Sequence, residues 1–125
     1  MKVYLGGTYG KNDYRVGMIP QLYCDYYNPK ELQNLIGKDV DNEEKEKCNK
    51  ILYVFTGEMR GFSGINDVVN DSRKYKERVI LCILYSELSS TKCEILKDAE
   101  NTCIKYGSII LRSIEEVVQY LNEQS

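Results

Sequence analysis

The sequence predicts an α/β fold built on a parallel sheet, and three observations support this. Five short apolar runs recur along the chain, and the middle run, Ile51–Phe55, is apolar without alternation, as in a strand buried on both faces. Segments with helical spacing separate the runs, as crossovers between parallel strands require. The chain has 125 residues, 42% of them hydrophobic and 29% charged, which suits one folded domain spanning residues 1–125.

The apolar runs are the predicted strands, taken in chain order. They are Val3–Gly6, Tyr23–Tyr27, Ile51–Phe55, Val79–Tyr85 and Ser108–Leu111. Right-handed crossovers favour the strand order 2-1-3-4-5 and therefore a flavodoxin-like three-layer sandwich. In this order the first and third strands are neighbours, and the loops that follow them face each other across one crevice.

The first three predicted helices lie in the first three-fifths of the chain. Asn12 is a good N-cap for the first helix, and Pro20 should bend or end it. The second helix is the acidic stretch from Asn42 to Lys50. The third, from Gly64 to Ser72, is short.

Capping patterns mark the last two helices. The fourth helix begins at Ser90 or Thr91, with Glu94 completing a capping box, and it stops at Gly107. The fifth begins at Ser113, with a glutamate three residues later, and presents one apolar face.

Charge and composition exclude several classes of function. The net charge is −2 and no basic stripe is present, so polymer nucleic acid is not an expected partner. The lysines of the second helix, Lys45 among them, alternate with glutamates, as on a solvated helix face. No apolar stretch approaches the ~20 residues of a membrane span, and no signal segment is evident at Met1, so we expect a cytoplasmic protein.

Histidine is absent from the chain, which excludes Ser-His and Cys-His catalysis and most zinc sites. We therefore predict no metal and no cofactor. Any catalytic acid, base or nucleophile must be a carboxylate, a tyrosine, a lysine or a thiol.

A glycine pair follows the first strand, at the edge where ligands of open α/β sheets bind. Gly6 and Gly7 let the backbone turn tightly and approach a ligand, and Thr8 adds a hydroxyl. No established phosphate-binding glycine motif is present. Turn glycines that serve packing alone explain the pattern equally well.

Two groups of carboxylates are candidates for chemistry. Asp67 is placed in the first turn of the third helix, where the helix dipole alone also favours an acidic residue. Asp39, Asp41 and Glu43 cluster before the second helix, either as capping residues or as the source of a second carboxylate. Glycosyl transfer through a covalent intermediate requires one nucleophilic and one proton-handling carboxylate.

Two tyrosines and a cation also lie near the predicted crevice. Tyr4 ends the first strand with its ring at the crevice edge, where its phenol could orient a sugar or a carboxylate. Tyr14 and Arg15 start the first helix, and Arg15 is the nearest cation for an anionic ligand.

Several motifs, in order and spacing, resemble the nucleoside 2-deoxyribosyltransferase-like family, in its short branch. They are Val3–Thr8, Asp13–Arg15, Tyr27–Pro29, Cys48–Val54 and Gly61–Asp67. The resemblance implies a flavodoxin-like fold, a crevice for nucleosides or nucleotides, and assembly into a homo-oligomer. Ligand contacts are then expected from Gly61, Ser63 and Asn66.

The resemblance also implies residue roles. The family's nucleophilic glutamate falls on Asp67, its positioning tyrosine on Tyr4, and an aspartate before the third strand near Asp41. A further family aspartate is replaced by Gly61, which leaves Glu58 as the closest carboxylate.

Two functions follow from these assignments. The first is an N-glycosidic-bond enzyme, either a deoxyribosyltransferase or a nucleoside or nucleotide hydrolase. In it Asp67 is the nucleophile, Tyr4 its positioner, and Asp41 or Glu58 the proton carrier. The alternative is a non-catalytic nucleotide-binding or sequestering module, which the shorter aspartate and the replaced carboxylate favour.

Overall fold

The structure, a computed structural model, describes residues 1–29 and 38–125. Five strands form one fully parallel sheet in the order β2-β1-β3-β4-β5, which confirms the predicted flavodoxin-like fold. The strands are β1 (Lys2–Gly7), β2 (Asp25–Tyr27), β3 (Lys50–Phe55), β4 (Val79–Ile83) and β5 (Ile109–Leu111).

Helices cover both faces of this sheet. In the described part of the chain they are α1 (Tyr14–Met18), α2 (Lys38–Lys47), α3 (Ser63–Tyr75), α4 (Ser90–Lys105) and α5 (Ile114–Glu123). Short 3-10 turns occupy Ile19–Gln21, Lys76–Arg78 and Tyr85–Glu87. Among the helices of residues 1–29 and 38–125, none has the length and apolarity that crossing a bilayer requires.

Several predicted boundaries shift. Asp13, and not Asn12, caps α1, because its carboxylate accepts the Arg15 backbone N–H. The helix α1 ends just before Pro20, as expected, and Pro20 lies within the 3-10 turn that follows. The acidic helix α2 begins before Asn42, and α3 continues past Ser72 to Tyr75. Side chains that the predicted bounds placed outside the helices therefore lie on α2 and α3.

The strands β2 and β4 are shorter than predicted, and the caps of the last two helices are clear. β2 begins at Asp25, and β4 ends before the 3-10 turn at Tyr85. The helix α4 starts at Ser90 as predicted, but Ser89 caps it by accepting the Lys92 N–H, in place of the predicted capping box with Glu94. Ser113 caps α5 by accepting the Glu116 N–H, as the sequence indicates.

The sheet has a core on each face, which explains the unbroken apolar run of β3. Ile51, Tyr53 and Phe55 point to the face that α3 and α4 cover. Leu52 and Val54 point to the opposite face, which α1 and α5 cover. Successive side chains of a strand alternate between faces, so a strand buried on both must be apolar throughout.

The loops after β1 and β3 lie side by side, as the strand order requires. Gly7 is in register with Val54 at the ends of the two strands. The Thr8 N–H donates to the Val54 carbonyl at 2.9 Å, and the Thr56 N–H donates to the Thr8 hydroxyl at 3.1 Å. The two loops therefore form one continuous edge at the topological switch point.

Candidate functional site

A pocket of about 290 Å³ opens at the carboxyl ends of β1 and β3. This volume is at the lower end of the range for small-molecule sites. Backbone from three segments forms part of its wall: the loop after β1, the loop after β3 and the beginning of α3. The predicted ligand-contact residues that border it are Gly6, Gly7, Thr8, Gly61 and Ser63.

Gly7 is required by packing and also borders the pocket. Its φ of +104° is unfavourable for other residues, and a Cβ there would lie 2.2 Å from the Val54 carbonyl oxygen. Gly6 is tight as well, because a Cβ would lie 3.0 Å from the Leu52 carbonyl oxygen. The glycine pair lets the two strands end in close contact and leaves bare backbone facing the cavity.

An aromatic wall forms the sheet side of the pocket. Tyr4 is 6% exposed and stacks on Tyr27 with ring centroids 5.6 Å apart. Tyr53 and Phe55 from β3 stack with centroids 6.2 Å apart, and both border the cavity together with Tyr4. Burial is the main cause that raises the pKa of Tyr4 far above its ordinary value, so its phenol stays protonated and can donate.

Asp67 borders the pocket from α3. It is the fifth residue of a helix that begins at Ser63, so it lies in the second turn and not, as predicted, in the first. A helix dipole acts mainly on the first turn, so it explains this carboxylate less well than expected. Within the described part of the chain, the Asp67 side chain has no hydrogen-bond or ion-pair partner and is exposed at the cavity.

The sequence placed Lys45 on a solvated helix face, and this was wrong. Its side chain is 12% exposed, and its ammonium pairs with the Asp71 carboxylate at 2.9 Å. Asp71 also accepts the Tyr53 hydroxyl hydrogen at 2.5 Å. Burial, followed by the nearby Asp71 charge, raises the pKa of the Tyr53 phenol well above its ordinary value.

The two candidates for a second carboxylate lie elsewhere. The Asp41 carboxylate accepts the Tyr27 hydroxyl hydrogen at 2.8 Å. Glu58 accepts the backbone N–H groups of Lys11 and Asn12, each at 3.0 Å. Neither carboxylate borders the pocket. The Asp39 side chain, in the same sequence cluster as Asp41, lies outside the described residues.

Tyr14 and Arg15 support the glycine loop from behind and do not border the cavity. The Tyr14 hydroxyl donates to the Gly6 carbonyl at 2.5 Å. Arg15 is 1% exposed and donates to the carbonyls of Leu5 and Thr8, each at 3.0 Å. Both side chains thus contact the glycine loop, whereas a ligand contact was expected for Tyr14 and Arg15 alike.

Sequence reasoning missed half of the pocket lining. The missed residues are Tyr9, Lys45, Tyr53, Phe55, Met59, Arg60 and Gly64, and Asn66, which was expected, does not border the cavity. One signal in the sequence pointed toward Lys45. Asp67 and Asp71 are four residues apart and share one face of a helix, so Asp71, the partner of Lys45, is expected beside the pocket. Among residues 1–29 and 38–125, no group of three potential metal ligands converges.

Comparison of the chain with protein-family models, curated proteins and solved structures finds no match in any of the three.

Proposed function

We propose that this protein acts on the N-glycosidic bond of a nucleoside or nucleotide, as a deoxyribosyltransferase or a hydrolase, with Asp67 as the nucleophile. The observation that carries the proposal is the Asp67 carboxylate, which borders the pocket without a partner in the described part of the chain. A carboxylate held in this way is free to attack a bound sugar.

The surroundings of Asp67 suit both halves of a nucleoside. The Tyr4, Tyr53 and Phe55 rings give a flat base an aromatic surface to contact. The loop of Gly6, Gly7 and Thr8 offers backbone and a hydroxyl group to the polar sugar.

The proposed reaction has two steps. In the first, an Asp67 oxygen bonds to the anomeric carbon, the bond from that carbon to the base nitrogen breaks, and the nitrogen keeps the electron pair and takes a proton from water. In the second, the oxygen of water or a nitrogen of a second base bonds to the same carbon, the bond to the Asp67 oxygen breaks, and the attacking group loses its proton to water, which completes hydrolysis or transfer. The Tyr4 phenol, protonated and at the same cavity, positions the nucleophile or the sugar by donating a hydrogen bond.

Release of free base tests this function. The purified protein is incubated with deoxynucleosides, ribonucleosides and their 5′-monophosphates, and the base is measured by chromatography. We expect release by the wild type and none by Asp67→Asn, while Asp98→Asn, at an exposed position of α4, retains it. A circular dichroism spectrum equal to that of the wild type establishes that Asp67→Asn is folded. Absence of release on the whole panel contradicts the proposal.

One observation favours the second candidate, a non-catalytic nucleotide-binding or sequestering module. Neither Asp41 nor Glu58 borders the pocket, so the expected proton carrier is not beside Asp67. Binding of a nucleotide by calorimetry, with the ligand recovered unchanged, supports this candidate. Absence of binding to every nucleotide rules it out.

A further inference from the structure

The proposed reaction does not use the ion pair between Lys45 and Asp71, which lies beside the pocket. Asp71 lies between two donors, the Lys45 ammonium at 2.9 Å and the Tyr53 hydroxyl at 2.5 Å. The Lys45 and Asp71 side chains are 12% and 14% exposed. Because both partners are largely buried, and Tyr53 holds the carboxylate by a hydrogen bond, this ion pair keeps the ammonium in place.

The fixed ammonium lies at the aromatic end of the cavity. Its nitrogen is 5.3 Å from the centre of the Tyr4 ring and 5.8 Å from the centre of the Tyr53 ring, and Lys45 itself borders the pocket. A flat heteroaromatic group against these rings therefore has one edge near the ammonium.

Lys45 has donor capacity to spare. An ammonium carries three N–H donors and no acceptor, and in the described part of the chain the Asp71 carboxylate is its one ion-pair partner. A ligand oxygen at this place gains a charge-assisted hydrogen bond. A ligand amino group meets a second donor and must lose its own hydration without compensation.

We propose that Lys45 is a specificity-determining residue, which donates a hydrogen bond to an oxo group of the ligand's heterocyclic base. The pocket then selects bases with a ring carbonyl at this edge over those with an amino group in the same place. This inference rests on the proposed function, because it assumes that the aromatic end of the cavity holds the base.

A purely structural role for Lys45, neutralising Asp71, predicts a different outcome. In that case the lysine affects folding, while a base with an oxo group beside a ring N–H binds as tightly as its partner with an amino group beside an unprotonated ring nitrogen. Discrimination by hydrogen bonding, in contrast, is large, since a site built with donors rejects a donor at the same place.

Matched pairs of ligands separate the two roles. Dissociation constants are measured by calorimetry for deoxyinosine against deoxyadenosine and for deoxyuridine against deoxycytidine, and every protein, including the one that is wild type at position 45, carries Asp67→Asn so that the ligand is not cleaved. We expect the wild type to bind the oxo member of at least one pair about tenfold more tightly or better, the effect of one charge-assisted hydrogen bond. In Lys45→Met the ratio falls to about one, and Lys45→Arg, which keeps the charge and the donors, retains a preference.

Two further variants control for folding and for charge. Lys45→Met leaves Asp71 without its cation, so the double variant Lys45→Met/Asp71→Asn removes both charges and should show the same loss of preference. Lys47→Met, on the same helix but with a 65% exposed side chain, keeps the wild-type ratio.

The outcomes separate this inference from the function on which it rests. Deoxynucleoside binding with a ratio near one in the wild type, or with an unchanged ratio in both Lys45→Met variants, overturns the role of Lys45 and leaves the proposed function standing. Absence of binding by every deoxynucleoside overturns both.

Discussion

The Tyr53 hydroxyl of β3 donates a hydrogen bond to the Asp71 carboxylate of α3. The same carboxylate pairs with Lys45 of α2, so one sheet strand and two helices are joined beside the pocket. Asp67 lies one helical turn before Asp71 and therefore on the same face of α3. Its charge also contributes to the raised pKa of Tyr53, as expected for neighbouring groups. Anchoring of Asp71 thus fixes the face of α3 that presents Asp67 to the cavity.

Tyr4 is expected to act on catalysis more than on stability. Its hydroxyl has no hydrogen-bond partner in the described part of the chain, so Tyr4→Phe should leave the denaturation midpoint nearly unchanged. Loss of one positioning donor should lower the rate of base release about 10- to 100-fold. Tyr26→Phe, at a ring that is 39% exposed on β2, serves as the matched control. An unchanged rate in Tyr4→Phe would exclude the positioning role.

The close contact between the ends of β1 and β3 at the pocket should depend on Gly7. Gly7→Ala places a Cβ against the Val54 carbonyl at a φ of +104°, and we expect a loss of at least about 3 kcal/mol. Gly17→Ala in α1 is the control, because nothing lies within 4 Å of its Cβ, and it should stabilise the protein by about 0.5–1 kcal/mol. Urea unfolding measures both. Equal effects of the two substitutions would show that the close strand contact does not require glycine.

Arg15 should contribute to stability through the loop that it supports. Arg15→Met removes the donors to the Leu5 and Thr8 carbonyls and the ion pair with Asp13 at 2.8 Å. Because these groups are buried, we expect a loss of about 3–5 kcal/mol in the free energy of unfolding. Arg73→Met, at an exposed position of α3, should have a small effect. A stable Arg15→Met variant that still releases base would remove its positioning role.

Alkaline pH should destabilise the protein through its buried thiols. Burial raises the pKa of Cys48 to about 11 and that of Cys82 to about 12. In the unfolded chain these thiols titrate near pH 8.5–9, so above that pH the unfolded state binds fewer protons than the folded state. Their contribution to stability is complete below about pH 8.5 and is lost progressively as the pH rises through the folded-state values.

Guanidinium unfolding at pH 8 and at pH 10.5 checks this prediction. The midpoint should be lower at the higher pH, and Cys82→Val should lessen the difference because it removes one of the buried thiols. A midpoint that is independent of pH over this range would contradict it.

The sequence was informative where burial leaves a simple pattern. The unbroken apolar run of β3 and the Ser113 cap were read correctly, because a strand covered on two faces and a helix start each impose local constraints. The crossover rule then placed the β1 and β3 loops together. Asp67 was correctly expected to border the pocket, because it comes shortly after the β3 loop.

The remainder of the pocket depends on contacts between distant segments. Lys45 alternates with glutamates along α2, and nothing in that pattern distinguishes an exposed lysine from one that reaches Asp71 of α3. Arg15 likewise looked like a ligand contact, since the sequence does not show that its donors are taken by Leu5 and Thr8. Polar side chains that pair across elements leave no periodic signal.

Covalent trapping at Asp67 tests the central claim most directly. The wild type and Asp67→Asn are incubated with 2-deoxy-2-fluoro nucleosides, whose fluorine slows breakdown of a glycosyl-enzyme, and are then examined by intact-protein and peptide mass spectrometry. The account predicts one added glycosyl group on the wild type, on the peptide that contains Asp67, and none on Asp67→Asn. Free base released without an adduct, or an adduct on any other residue, would contradict it.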